Sequence, residues 1–262
     1  MIKQVFVKDD KTITGRQVFT YVTKPLLLNQ VRLTRVFGQD WKELPGLVSP
    51  TFKGSYMKQA VLIMKDRTKL FAEMIEVASK KQGGVVNMHD HVLRLAMDVA
   101  VGVFHGNRTD VQRGDEAASK LLHKCRQCTG MFEESKMVLI SGRKKPHLTC
   151  RTRTLANGTL FIIAAFVQRA CDEEYEYKGT VFPKDTVIGV PVLRMHYDPR
   201  FWNEPEKLDP DRFSSENRPK INPMAYLPFG AGPRNCVASR YSELLMRVTL
   251  ATLVSSHKFL PS

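Results

Sequence analysis

The stretch Phe229-Gly230-Ala231-Gly232-Pro233-Arg234-Asn235-Cys236 constrains the fold more than any other part of this 262-residue chain. Gly230 and Gly232 bring backbone freedom and Pro233 brings rigidity. Together they predict a tight turn whose main chain can approach something flat and bulky with no side chain between. Beyond it, Tyr241, Leu244, Leu245 and Val248 recur at i, i+3, i+4 and i+7, so Cys236 is expected at the mouth of a packed amphipathic helix. A cysteine there gains unpaired backbone N–H groups and the positive end of the helix dipole, and Arg234 adds a charge two residues away. All three favour the thiolate, which is either a nucleophile or a soft metal ligand. A nucleophile wants a base. No His lies within twenty residues upstream of Cys236 and Asn235 cannot abstract a proton, so axial ligation of an iron is favoured. On these eight residues alone, an inert buried cysteine in a helix-capping turn stays open as the alternative.

The pattern F-x-x-G-x-R-x-C resembles the haem-thiolate signature of the cytochrome P450 family. The resemblance implies that Cys236 is the proximal ligand of the haem iron, whose electron donation favours O–O cleavage. It also implies that Arg234 pairs with a haem propionate, with Phe229 and Gly232 as the other marked positions of the cofactor-binding loop. Ala238 stands where the family usually has Gly.

A chain of this length, 43% apolar, can bury a sizeable core in one large or two ordinary domains. Lys and Arg outnumber Asp and Glu by 40 to 26, so the net charge of +14 calls for an acidic protein partner or an anionic membrane surface. Zinc-finger spacings and aromatic nucleic-acid signatures are missing, so nucleic acid ranks below both. Five scattered Cys without a secretory signal predict free thiols in a reducing compartment. The longest uncharged apolar run, Leu160 to Val167, falls far short of the ~20 residues of a spanning helix.

Read in order, the chain from Met1 resembles the interior of a protein. Met1 to Asp9 alternates enough for a strand end or a short helix feeding a loop. Asp40 is placed to cap a helix at Trp41, and Ser49-Pro50-Thr51-Phe52 marks a turn. The apolar spacing of Phe52, Met57, Ala60, Val61, Met64, Leu70, Phe71, Met74 and Ile75 then predicts one or two long core helices from about Lys53 to Lys81. Residues 1–106 resemble the N-terminal helical part of a P450 domain of the microsomal, family 3 type. Trp41-Lys42 followed by Leu47 to Phe52, and Met97-Asp98-Val99, carry that likeness. In the family Trp41 would hydrogen-bond a propionate through its indole N–H.

Residues 107–159 form a junction with no counterpart in the family. Ala117 to Cys128 reads as a helix and Ser141 to Pro146 as a basic loop. His123, Cys125, Cys128, His147 and Cys150 have spacings that can reach one tetrahedral ion, although Cys125 and Cys128 lack the Gly or Pro of a knuckle turn. From 160 to 262 the resemblance resumes as the C-terminal haem-thiolate part of the same domain. Arg169 matches a propionate-binding Arg, and Tyr175 to Val187 alternates about Lys178-Gly179 as a hairpin. Pro210-Asp211-Arg212-Phe213 resembles the family's PxRF segment, read here as coil.

The expected architecture is therefore mainly α with a small β-sheet near residues 170 to 195, an incomplete cytochrome P450 fold of α+β class. The family implies haem b, NADPH-cytochrome P450 reductase, a small apolar substrate, and the cytosolic face of the endoplasmic reticulum (microsomal) membrane. The implied reaction is oxidoreductase chemistry, an O2-dependent monooxygenase hydroxylation at iron. Several departures imply impairment. Position 45 is Pro where the family has an Arg, the ExxR positions fall on Ala156 and Thr159, and no A-G-x-D-T or A-G-x-E-T segment occurs. Arg212 is accordingly expected to lack its ExxR partner, a loss of ~3 to 5 kcal/mol for a buried ion pair. Two further readings follow from these departures: a non-catalytic truncated or internally deleted product that binds haem weakly or not at all, and a zinc-binding interaction module at residues 123–150.

Overall fold

The computed structural model describes residues 1–9, 12–13, 46, 48–81, 86, 88–116, 119–120, 122–123, 167–207 and 209–257. Four α-helices run among the described residues: Gly54–Lys81 (α1), Met88–His105 (α2), Val192–His196 (α3) and Ser239–Ser256 (α4). Four strands run over Val167–Ala170 (β1), Tyr175–Tyr177 (β2), Thr180–Phe182 (β3) and Val187–Val190 (β4). The chain divides into two compact units, one of Met1–Pro50 with Thr152–Val237, the other of Thr51–Arg151 with Ala238–Ser262.

The described part of the second unit is helical. The apolar spacing over 53–81 resolves into the single helix α1, which buries Ala60, Met64, Thr68, Phe71, Ile75 and Ala78, a stripe with steps of three and four. That stripe meets Leu95 and Val99 of α2 and Tyr241 and Leu253 of α4, with Leu244, Leu245 and Val248 packed half-buried against the same cluster. The residues after Cys236 thus form the helix expected of them. Gly102 of α2 is required by close approach, because a Cβ there would stand 3.0 Å from the Ile63 side chain of α1. Phe52, Phe104 and Tyr241 close one end, with ring centroids 5.2 to 6.3 Å apart.

A buried ion pair lies inside this helical core. Asp98 on α2 is fully buried. Its carboxylate accepts from the Thr109 hydroxyl and the Gln112 amide, both at 2.6 Å, and lies 3.6 Å from the Arg67 guanidinium of α1. A buried carboxylate is tolerated only when its acceptor sites are filled in this way.

The first unit holds the sheet structure, as two separate two-stranded antiparallel sheets and not one. The expected hairpin is present: β2 pairs with β3 across Lys178 and Gly179, both at positive φ (53° and 76°). That pair of left-handed residues is the turn whose twist matches antiparallel strands. β1 pairs with β4, Val167 opposite Val190 and Ala170 opposite Val187, which brings the ends of the 167–190 segment together. Val167, Ile188, Val190 and Val192 then bury against Val5, Phe6, Ile13, Leu227 and Ala231.

At the edges of this unit one open alternative resolves and one expectation changes. Gln4–Lys8 forms one π-helical turn, with Val5 and Phe6 buried. Pro210–Phe213, read as coil, is a 3₁₀ turn, because Pro210 presets φ at its first position and the Asp209 carboxylate accepts from the Asp211 N–H at 3.1 Å.

His196 ends α3 as a buried neutral imidazole. Its Nε2 accepts from the Leu227 N–H at 2.9 Å, and its ring lies 5.1 Å from that of Tyr226. Burial disfavours the cation and lowers its pKa from 6.5 to about 4. With the folded value depressed, the unfolded chain binds the proton first as pH falls. This stability is whole above pH 6.5 and is lost progressively from there down to pH 4. Urea unfolding of the wild type should therefore lose about 2 kcal/mol more between pH 7 and pH 5 than that of His196→Gln. In the helical unit, Asp98→Ala should destabilise by about 3 kcal/mol, since it removes the buried carboxylate that pairs with Arg67 and accepts from Gln112 and Thr109. Denaturant midpoints check both.

Candidate functional site

The octapeptide folds as a closed loop. The Cys236 N–H donates to the Phe229 carbonyl at 2.8 Å and the Asn235 N–H to the Gly232 carbonyl at 3.0 Å. Gly230 and Gly232 both stand at positive φ (77° and 73°), which the sharp reversal needs and a side chain disfavours. Upstream, the bond from Leu227 to His196 fixes the approach to the loop, and the Gly230 N–H donates to the Leu227 carbonyl at 3.2 Å. Cys236 is a free thiol, exposed, three residues ahead of the start of α4. Phe229 is half-buried and Arg234 is buried.

Arg169 reaches this loop from β1. Its guanidinium is 2% exposed, donates to the carbonyls of Gln168 (2.7 Å) and Ala231 (3.0 Å), and lies over the Phe6 ring at 4.4 Å from the centroid. Phe6 is a residue of the site that carries no functional signal in the sequence. Its carbonyl group would clash with a Cβ placed on Gly232. The bare face of Gly232 is thus occupied by the main chain of Phe6 and Val7. The predicted close approach of backbone to a neighbour is present, and the neighbour is this chain's own turn.

The segment leading to the loop is tied by Arg212. Its guanidinium donates to the carbonyls of Asn203, Glu204 (2.7 Å) and Lys207 (3.3 Å), and its Nε lies 4.0 Å from the Asp209 carboxylate. The expectation of an Arg212 left without a partner is therefore corrected. Main-chain oxygens of a turn, in which Glu204 adopts φ +45°, take the place of a carboxylate from elsewhere in the chain. Trp202, whose indole N–H donates to the Met195 carbonyl at 3.0 Å, packs with Phe213 and Tyr226 behind that turn.

Of the residues marked in the sequence, Gly232 and Arg169 converge on Phe6, while Phe229 and Cys236 close the loop through their main chains. Trp41, Pro45, Ala156 and Thr159 lie outside the described residues, as do Cys125, Cys128, His147 and Cys150 of the zinc constellation. His123 is described, and among the described residues no three His, Cys, Asp or Glu side chains come together as a metal site. No helix among them is long and apolar enough to cross a membrane.

The donor set suits a haem in kind: an accessible thiol and two buried guanidiniums around a glycine turn. The Gly232 face of the loop is closed to a flat macrocycle by the Phe6–Val7 backbone, whereas the Cys236 thiol stands open.

The loop lies in the part of the chain that matches known proteins. The family model described as Cytochrome P450 matches residues 160–262. Cytochrome P450 3A29 of Sus scrofa is 44% identical over 102 residues, 39% of this chain and 20% of that protein. Cytochrome P450 3A19 of Capra hircus aegagrus is 41% identical over 102 residues, 39% of this chain and 47% of that protein. Cytochrome P450 3A7 of Homo sapiens is 39% identical over 102 residues, again 20% of its length. The match thus spans between a fifth and just under half of these relatives. Residues 160–262, where the loop, Arg169 and Arg212 all lie, match the Cytochrome P450 family and resemble its 3A members.

Proposed function

We propose that residues 229–236 are the haem-thiolate loop of a monooxygenase-type protein, with Cys236 as the axial iron ligand and Arg234 and Arg169 as the propionate partners. The observation that carries this reading is the loop itself. Cys236 N–H closes on Phe229 O at 2.8 Å, leaving the thiol exposed within a segment that matches the family. Trp41 would add a propionate donor. Haem b, if held by Cys236, Arg234 and Arg169, would supply the chemistry for O2-dependent hydroxylation of a small apolar molecule. The chain's own part is to hold the thiolate, neutralise the carboxylates of the porphyrin and keep the loop rigid through Arg212 and His196.

The net charge of +14 suits docking of an acidic electron-transfer partner such as NADPH-cytochrome P450 reductase, and the 3A resemblance suggests the cytosolic face of the endoplasmic reticulum membrane. Pro45, Ala156 and Thr159 are the reasons to place this chain low in catalytic competence. Each replaces a charged group that would hold haem or the loop.

The absorption spectrum of the purified chain with added haemin, reduced under carbon monoxide, tests the assignment. A strongly red-shifted Soret band that falls to less than about a tenth in Cys236→Ala is expected, since only thiolate ligation produces that shift. A band of free or histidine-bound haem, equal in both proteins, would refute it.

A further inference from the structure

The first turn of the cysteine loop hangs from one imidazole. The Leu227 N–H donates to His196 Nε2 at 2.9 Å, and the Leu227 carbonyl accepts from the Gly230 N–H at 3.2 Å. One residue before that glycine, the Phe229 carbonyl takes the Cys236 N–H at 2.8 Å. A short path of main-chain bonds therefore leads from His196 to the residue that carries the thiol. Because Nε2 accepts, the ring proton sits on Nδ1, and Nδ1 is buried without an acceptor among the described residues. The ring is thus held at one end only, by the bond to Leu227.

We propose that the His196–Leu227 bond is an acid-released latch of the cysteine loop: the neutral imidazole holds the turn Leu227–Gly230, and a proton taken from solvent at Nε2 lets that turn go. The inference adds regulation to the haem-thiolate reading above and rests on it only for the consequence at the iron. With both nitrogens protonated the ring has two donors and no acceptor, so the Leu227 N–H faces another N–H in a buried place. Both groups are then better met by water, which an open loop admits. On α3 and just after it, Arg194 is exposed and the Asp198 carboxylate is taken by Arg200. From the segment before the loop the Tyr226 phenol ring lies against His196, with Trp202 and Phe213 packed on Tyr226. Burial is what lowers the pKa of the closed ring from 6.5 to about 4, with no charged neighbour contributing. The latch is therefore shut at neutral pH, and opening gains progressively as pH falls below 6.5.

Amide hydrogen exchange on the full chain, read by NMR between pH 7 and pH 5 and corrected for the intrinsic pH dependence of exchange, tests the latch without haem. Protection at Leu227 is expected to be at least about tenfold below that along β4, the mark of a local opening, and to fall ~20-fold over that range. In His196→Gln, whose side-chain oxygen accepts but does not titrate, the fall should vanish. If that variant does not fold, the His196 ring resonances of the wild type carry the test, since they must titrate below the ordinary range together with the loss of protection. Protection at Leu227 equal to that of β4 at every pH, or unchanged by pH, would overturn the latch. For the iron, the rate at which haem leaves the loaded chain for excess apomyoglobin should rise by the same factor in the wild type and stay level in His196→Gln. A rise equal in both proteins would point to protonation of the thiolate itself and overturn the coupling to iron. No Cys236-dependent haem spectrum would refute the haem-thiolate reading and leave the amide result to decide the latch.

Discussion

The contact between the Phe6 carbonyl and the face of Gly232 fixes the first unit more than any side-chain pair in it. Main chain meets main chain there at a distance that only a missing Cβ permits. Because of it Val5 and Phe6 join Val167, Ile188, Val190 and Leu227 in one core, although they are separated from them by more than a hundred and sixty positions. Val5 and Phe6 are only 1% exposed as a result. Close approach of two backbones is geometrically demanding and tolerant of sequence on one side only. Phe6 contributes its carbonyl, which every residue has, whereas position 232 needs both a positive φ and no side chain.

A second theme is how the chain partners its guanidiniums. Buried Arg169 and half-buried Arg212 both spend donors on main-chain carbonyls, Ala231 and Gln168 for one and Asn203, Glu204 and Lys207 for the other. Arg67 instead faces a buried carboxylate, that of Asp98. Carbonyl oxygens solvate a guanidinium without the desolvation of a second ion, and they are supplied by local turns. The segment before Cys236 thus keeps its shape through carbonyls of its own neighbourhood.

Local features were legible in the sequence where local chemistry decides them. The stripe after Cys236, the apolar steps of α1 and the Lys178-Gly179 hairpin each announce a period or a turn type within a dozen residues, and each folds as read. The glycine loop was legible for the same reason. What occupies its face was not, since Met1 to Asp9 carries only a short apolar alternation and its partner lies at the other end of the chain. Arg212 was misread because backbone acceptors leave no mark in the sequence. The division into two sheets turns on which strands find each other in space, β1 with β4 and β2 with β3, and alternation within a strand does not record that.

The two described cysteines face opposite fates. Cys171 is 1% exposed, and burial, with Asp172 beside it, raises its thiol pKa. It is both shielded and protonated. Cys236 stands open to solvent. Peroxides and electrophiles act on accessible sulfur, and the steps beyond sulfenic acid are hard to reverse. Of this pair, the sulfur proposed to hold iron is therefore also the one that oxidation would consume first. A bound metal at that position would serve as a chemical cap as well as a cofactor.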